Sequence, residues 1–303
     1  MTRAITRLRG AYRAALSRGA GYEVQTLGRH ADKGGYFVDL SAKTTSCATP
    51  ISGRGITLGG TPVQIAQRAL GWWERYLDGD PRAADTFLGL ASDLKSAAVL
   101  GDRGELLWPY RIDFPKYGLR APWLSAMAQA QAASVFVRTA TLAALTEYKD
   151  AAARAILPLT RPRLRERLVV ELEEGPVLEE YPSSPHSHVL NGWIYALWGV
   201  YDVAMALNDA RAGELFERSS AAFAARIHRY DLGWWSLYSL YGKRRLDLAK
   251  PFYHRLHVTQ LEALASIVGE PSLLDRSKRW NEYDTAPRRM LAILGKAREV
   301  MAP

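Results

Sequence analysis

Cysteine is almost absent from this chain: Cys47 is the single one in 303 residues. No internal disulfide can form, and nothing in the cysteine usage argues for an oxidising compartment. No run of 18 apolar residues occurs, so no membrane-spanning helix is expected. Arg3, Arg7, Arg9, Arg13 and Arg18 crowd the first residues, but no apolar core of signal-peptide length follows them. A cytoplasmic location is therefore the expectation. No GxGxxG follows a strand, and no Lys-Ser/Thr turns the glycine-rich stretch 53–60 into a phosphate loop. EF-hand-type loops and HExxH are missing as well. Neither a cofactor nor a metal is expected on these grounds. Nucleic acid is not the expected partner, because no helix-turn-helix, zinc or RNP-type pattern appears.

What is present is ordinary globular composition, 48% hydrophobic and 23% charged, in a chain long enough for a large core. The formal net charge is +9. An arginine-rich proteome accounts for it, and so does the steering of a polyanion into a basic cleft.

Residues 2–17 read as a helix with Ile5, Leu8, Tyr12 and Leu16 on one face. Residues 36–40 alternate weakly between glycines and suggest a strand. From Thr61 the texture becomes helical. Thr61 and Pro62 form an N-cap and first-turn pair, and Val63, Ala66, Ala69, Leu70 and Trp73 then share a face. Further helices are expected over 82–99, 123–146, 148–157, 189–207, 214–228 and 255–268. Pro109 and Pro115 make 108–119 an extended crossing. Residues 168–173 and 177–181 read as a strand pair joined through Glu174, Gly175 and Pro176. The expected fold is mainly α, with antiparallel helical hairpins packed in an arc or ring, a small β portion near the N-terminus and a β-hairpin near 168–181. Residues 1–60 form an N-terminal segment ahead of a helical domain over 61–303, and a homodimer is compatible with the aromatic-rich helices.

The most informative stretch is 178–201, LEEYPSSPHSHVLNGWIYALWGVY. A Ser/Pro/His loop sets Glu179, Glu180 and Tyr181 just ahead of an apolar helix that must be buried, and functional residues often sit where a rigid scaffold holds a loop. This stretch resembles the C-terminal domain of the glucuronyl C5-epimerases, which invert C5 of glucuronic acid in heparan-type polysaccharides. That family shows EEYP, a short loop, VLNG and an apolar helix ending in Tyr-Asp. Here 179–182, 189–192 and Tyr201-Asp202 match. PVQIAQ at 62–67, PWLSAMAQAQA at 122–132 and YHRLHVTQL at 253–261 agree in the same order.

The resemblance implies an incomplete (α/α) toroid and an epimerase acting on glucuronosyl residues of an acidic polysaccharide, with no cofactor. The chemistry removes a proton from carbon beside a carboxylate. It needs cationic or hydrogen-bond donors at that carboxylate, a base on one face and an acid on the other. Carried over by position, Glu180, Tyr181 and Tyr253 surround the sugar. Glu180 and Tyr253 are expected to act from opposite faces, with Tyr181 polarising or sharing the proton. A tyrosine base needs a nearby cation, and His254, Arg255 and His257 are the closest in sequence. Tyr238 keeps the place of a family tyrosine. The arginine three positions later has become Tyr241 and the next histidine Gly242, so Lys243, Arg244 and Arg245 are the candidates for the substrate carboxylate. Ala130 stands where the family usually has glycine, and its methyl is expected to narrow the cleft floor.

Gln64, Gln67, Ser125, Gln129, Gln131 and Asn191 are polar residues on otherwise apolar helices. They serve either sugar hydroxyls or helix–helix hydrogen bonding and capping. Trp108, Tyr110, Trp123, Trp193 and Trp198 offer flat faces for stacking on sugars. His254 and His257 have the i, i+3 spacing of a metal pair but lack a third ligand. Two other readings stay open. One is a uronic-acid polysaccharide lyase, which begins with the same proton abstraction. The other is a polyanion-binding protein without catalysis.

Overall fold

The computed structural model describes residues 25–45, 60–242 and 246–301. The helix expected over 2–17, Gly53, Gly55 and Gly59 of the glycine-rich stretch, and Lys243, Arg244 and Arg245 lie outside the described residues. The fold is mainly helical. Helix α1 (Pro62–Leu77) starts where the sequence requires it. Thr61 accepts from the Gln64 backbone, and the Gln64 side chain accepts from Thr61 N at 2.8 Å, a reciprocal capping box behind Pro62. Ile65, Ala66, Ala69, Leu70 and Trp73 are its buried face. Helix α2 (Ala83–Ser96) returns against α1.

Helices α3 (Ala126–Ala143) and α4 (Thr146–Thr160) form the next hairpin, and α5 (Leu190–Leu207) and α6 (Ala210–Arg226) another. Helix α7 (Pro251–Val268) then packs against α8 (Pro271–Tyr283), and α9 (Ala286–Met301) follows. The last two helices are not anticipated above. They are polar overall, and α8 hides only a thin ridge of Leu273, Ser277, Trp280 and Tyr283. Such a ridge leaves little hydrophobic periodicity to read.

Helices α3 and α5 are buried on nearly every side and lie against each other at the centre. A helix apolar all round belongs inside a protein. Their approach is close because small residues meet. A Cβ placed on Gly199 would fall 2.1 Å from the Ala130 carbonyl oxygen. Ala130 is fully buried at this crossing, so its methyl belongs to helix packing and not to a cleft floor. Gly199→Ala should therefore cost about 1–3 kcal/mol in chemical denaturation, because the backbones must separate to admit one methyl.

The strands are short. β1 (Val99–Leu100) pairs with β2 (Leu106–Leu107), and β5 (Leu237–Ser239) with β6 (Asp247–Leu248). The expected hairpin is present as β3 (Val169–Leu172) and β4 (Gly175–Leu178), antiparallel with Val169 opposite Leu178. No regular strand forms over 36–40. Only an isolated bridge joins Leu27 and Val38, and Tyr36 N donates to Glu74 Oε1 at 2.6 Å instead of to a strand. Tyr36, Val38 and Leu40 are nonetheless buried in the same core as Trp73 and Trp198. The alternation reflects real burial, but its partners are helices.

A buried ion pair fastens this segment down. Arg138 on α3 binds Asp202 on α5 at 2.7 Å, and it also donates to the carbonyls of Ser134 at 3.0 Å and Gly35 at 3.1 Å. Trp73 Nε1 adds a hydrogen bond to Gly34 O at 2.9 Å. Among the described residues, no helix is long and apolar enough to cross a membrane.

Candidate active site

The hairpin β3–β4 delivers the two adjacent glutamates to opposite tasks. Glu179 is fully buried and structural. Its carbonyl accepts from Ala126 N at the start of α3. Its carboxylate accepts from Ser187 Oγ at 2.7 Å and His188 N at 3.0 Å, and His188 Nδ1 lies 2.6 Å away. This clamp closes the loop 182–188 onto the strand end. His188 sits at φ 44°, a conformation a non-glycine residue holds only when its surroundings enforce it. Its carbonyl accepts from the Tyr230 hydroxyl at 2.8 Å.

Glu180 points the other way, toward the N-terminus of α5. A Cβ on Gly192 would fall 2.3 Å from Glu180 Oε2, so only glycine lets the carboxyl lie against that helix. The side chain is 8% exposed. Burial is the largest influence on it and raises the carboxyl to about 7; the hydrogen bond from Tyr181 and the charge of Lys116 pull it down, and Glu179 adds to the rise. A carboxyl in this range is poised to take and return a proton near neutrality.

Tyrosines surround that carboxyl. Tyr181 stacks on Tyr117 with centroids 4.6 Å apart and meets Phe114 edge-on at 4.9 Å. Tyr238, on β5, meets Tyr253, in the first turn of α7, edge-on at 4.8 Å. The strand β5 is drawn to the loop by Leu240 N donating to Ser187 O and by the bridge between Val189 and Ser239. Tyr181 and Tyr238 are raised well above the usual phenol range, first by burial and then by the Glu180 charge, so both are neutral proton donors at ordinary pH. Trp123 stacks on Tyr110 at 4.2 Å and faces Tyr181 at 5.8 Å. Beside them a cavity of about 850 Å³ opens, bounded in part by Trp123, Pro182, Leu119, Arg120, Arg165 and Arg167.

The structure thus brings together Glu180, Tyr181, Tyr238, Tyr253 and Trp123. It adds Tyr117 and Lys116, which the sequence reading does not single out. Lys116 Nζ lies 5.0 Å from the Tyr117 ring and 5.2 Å from the Tyr238 ring.

The histidines stand elsewhere. His254 and His257 are fully buried, and Ser236 Oγ sits between their Nδ1 atoms at 2.8 and 3.1 Å. His254 also bonds Trp280 O at 2.9 Å and stacks on Trp235 at 3.8 Å. Burial lowers His254 to about 4 and also holds His257 well below the usual imidazole range, so neither is the cation expected beside a catalytic tyrosine. They join α7 to α8. Arg255 is half-buried, and its buried Nε has no hydrogen-bond partner among the described residues.

Several of the polar candidates are occupied structurally. Gln64 is exposed and caps α1, and Ser125 caps α3. Gln129 donates to the carbonyls of Leu106 and Ala155 and accepts from Trp108 N. Gln131 is buried beside Tyr36. Gln67 is half-buried on α1. Asn191, 4% exposed in the first turn of α5, keeps an Oδ1 with no hydrogen-bond partner among the described residues, and its carbonyl accepts from Gln260. Trp108, Trp193 and Trp198 are core residues and offer no face to a sugar.

A model of the family described as D-glucuronyl C5-epimerase C-terminus matches residues 102–282. The matched range contains every member of the cluster around Glu180. An uncharacterised protein of Methanocaldococcus jannaschii is 26% identical over 181 residues, 58% of this chain and 58% of its own length. A D-glucuronyl C5-epimerase of Caenorhabditis elegans is 29% identical over 202 residues, 60% of this chain and 32% of its own length. The chain spans about half of the first relative's length and about a third of the second's.

Proposed function

The chain belongs to the D-glucuronyl C5-epimerase C-terminal family, and from that membership we propose that it inverts C5 of D-glucuronosyl residues, giving L-iduronosyl residues, in an acidic polysaccharide. The helical hairpins are read as part of an incomplete (α/α) toroid whose open side carries the polymer. The observation that carries the reading is the buried Glu180 carboxyl, raised to about 7 and hydrogen-bonded by Tyr181, inside a ring of neutral tyrosines.

The proposed steps follow from those groups. Ionised Glu180 removes the C5 proton and becomes the neutral acid. The electron pair left on C5 spreads into the neighbouring carboxylate, where donors must stabilise it. Tyr253, on the other face, delivers its hydroxyl proton to C5, and the configuration inverts. The reset then follows by exchange with solvent: neutral Glu180 gives up its proton and the Tyr253 phenolate regains one. One proton leaves C5 for Glu180, a second reaches C5 from Tyr253, and no electrons change hands. The cavity lined by Trp123, Arg120, Arg165 and Arg167 fits the neighbouring sugars of an anionic chain, with an aromatic face for the rings and guanidinium groups for the charges.

Incubation with N-sulfated and with de-sulfated glucuronosyl–glucosamine polymer tests the reading. New iduronosyl signals in the NMR spectrum support it. An ultraviolet-absorbing unsaturated product without those signals would assign a lyase instead. The pH dependence carries a further expectation. Because Glu180 must be ionised to act as base and its carboxyl is raised to about 7, kcat/KM should fall about tenfold per pH unit below that value. A limb near 4.5 instead would remove Glu180 from that role.

A further inference from the structure

Next to the tyrosine cluster, several ammonium groups crowd one carboxylate. Asp247, on β6, is 5% exposed and accepts from Lys116 Nζ at 3.0 and 3.2 Å, Ser239 Oγ at 2.6 Å and the Tyr117 hydroxyl at 3.4 Å. It is also bound by Lys296 from α9. Lys250, the N-cap of α7, completes the group. Its pKa is lowered, first by burial and then by Lys296 and Lys116, as happens where cations are held close together. Burial pushes Asp247 up, but Lys296 and Lys116 overcome it and hold the carboxylate below its usual range. One carboxylate shared between two ammonium groups leaves Lys116 only partly neutralised. An added anion at Lys116 would relieve the crowding, and in a half-dry setting that attraction is strong.

Lys116 is also the member that reaches outward. Its side chain is 32% exposed, against 11% for Lys296. Its ammonium lies beside the ring of Tyr238, which in turn touches Tyr253, and its charge acts on Glu180. The groups that would flank C5 and a partly open cation therefore share one wall.

We propose that Lys116, fixed by Asp247 and backed by Lys250 and Lys296, binds the carboxylate of the uronic acid that reacts. This assignment rests on the C5-epimerase reading. Its chemical consequence is specific. Loss of the C5 proton throws additional negative charge into that carboxylate, so an ammonium held there stabilises the transition state more than the ground state. Asp247 is a positioning residue: it touches the lysine and not the sugar.

The test is a comparison of two ligands, a glucuronosyl–glucosamine hexasaccharide and its carboxyl-reduced glucosyl counterpart, titrated calorimetrically. The parent should bind the acid form at least about tenfold more tightly, the order expected for a hydrogen bond between charged groups. Lys116→Met should lose about tenfold of that preference and keep only what the cavity arginines contribute, and Lys116→Arg should keep most of it. An undiminished preference in Lys116→Met overturns the assignment. A second measurement needs no variant: the acid form should shield Lys116 from reductive methylation read by mass spectrometry, while the reduced form should not. Equal labelling with and without the acid form also overturns it. Deuterium exchange at C5 in the same samples separates the two claims. Exchange by the parent together with an unchanged preference in Lys116→Met removes the lysine and leaves the epimerase. A lysine-dependent preference without exchange leaves the carboxylate site and removes the epimerase.

Discussion

Glu180→Gln is expected to lower kcat by about 10²–10⁴-fold, the range for loss of a positioned general base, while making the protein more stable at high pH. The two effects share one cause. A glutamate titrates at 4.5 ordinarily and at about 7 in this fold, chiefly because burial disfavours the charge. The folded state therefore holds the Glu180 proton more tightly than the unfolded chain does. Its contribution to stability is fully present below pH 4.5 and is lost as pH rises through 7. Integrated over that shift, ionised Glu180 costs the fold roughly 3 kcal/mol at pH 8 relative to pH 4. Glutamine keeps the shape and carries no charge. Urea denaturation at the two pH values should show Glu180→Gln gaining about 3 kcal/mol on the parent between pH 4 and pH 8. No pH-dependent gain would mean that the carboxyl is already well solvated.

Arg138→Ala is expected to cost about 3–5 kcal/mol, the usual penalty for stranding one partner of a buried ion pair. Arg138 and Asp202 have side chains only 6% and 11% exposed, and the guanidinium also serves the carbonyls of Ser134 and Gly35. Its loss leaves the Asp202 carboxylate without its counter-charge and frees the segment around Tyr36, over whose ring the guanidinium lies at 5.2 Å. The double variant Arg138→Met with Asp202→Leu should lose less than Arg138→Ala alone, because no buried charge remains. Denaturant midpoints of the three proteins check this ordering. A double variant as damaged as Arg138→Ala, or more so, would mean that the stranded charge is not the source of the loss.

Local chemistry is what the sequence displays most plainly. Thr61, Pro62 and Gln64 announce a helix start, and the structure has a full capping box there. Glu174, Gly175 and Pro176 announce a turn, and the hairpin turns one residue earlier, at Glu173 and Glu174, with Gly175 and Pro176 already paired in β4. The block around Glu180 and Tyr181 is legible because its members are neighbours along the chain. Charge compensation is legible only in space. Lys116 and Asp247 stand 131 residues apart, and nothing in the proline-flanked stretch around Lys116 signals that they meet. Proximity in sequence misleads in the opposite sense at His254 and His257, one and four residues from Tyr253. The turn of the helix directs both rings toward Ser236 and Trp280, away from the cluster. The polar helices quickly lose their hydrophobic signal, as α8 shows, because one narrow ridge of Leu273, Ser277, Trp280 and Tyr283 is all that it buries.

Proton exchange at C5 tests the central claim most directly. Glucuronosyl–glucosamine polymer incubated in D₂O with the parent protein should acquire deuterium at C5, in both recovered glucuronosyl and newly formed iduronosyl residues. Glu180→Gln and Tyr253→Phe should each abolish the inversion. A folded parent that leaves C5 fully protonated, or a Glu180→Gln variant that inverts C5 at the parent's rate, would contradict the account.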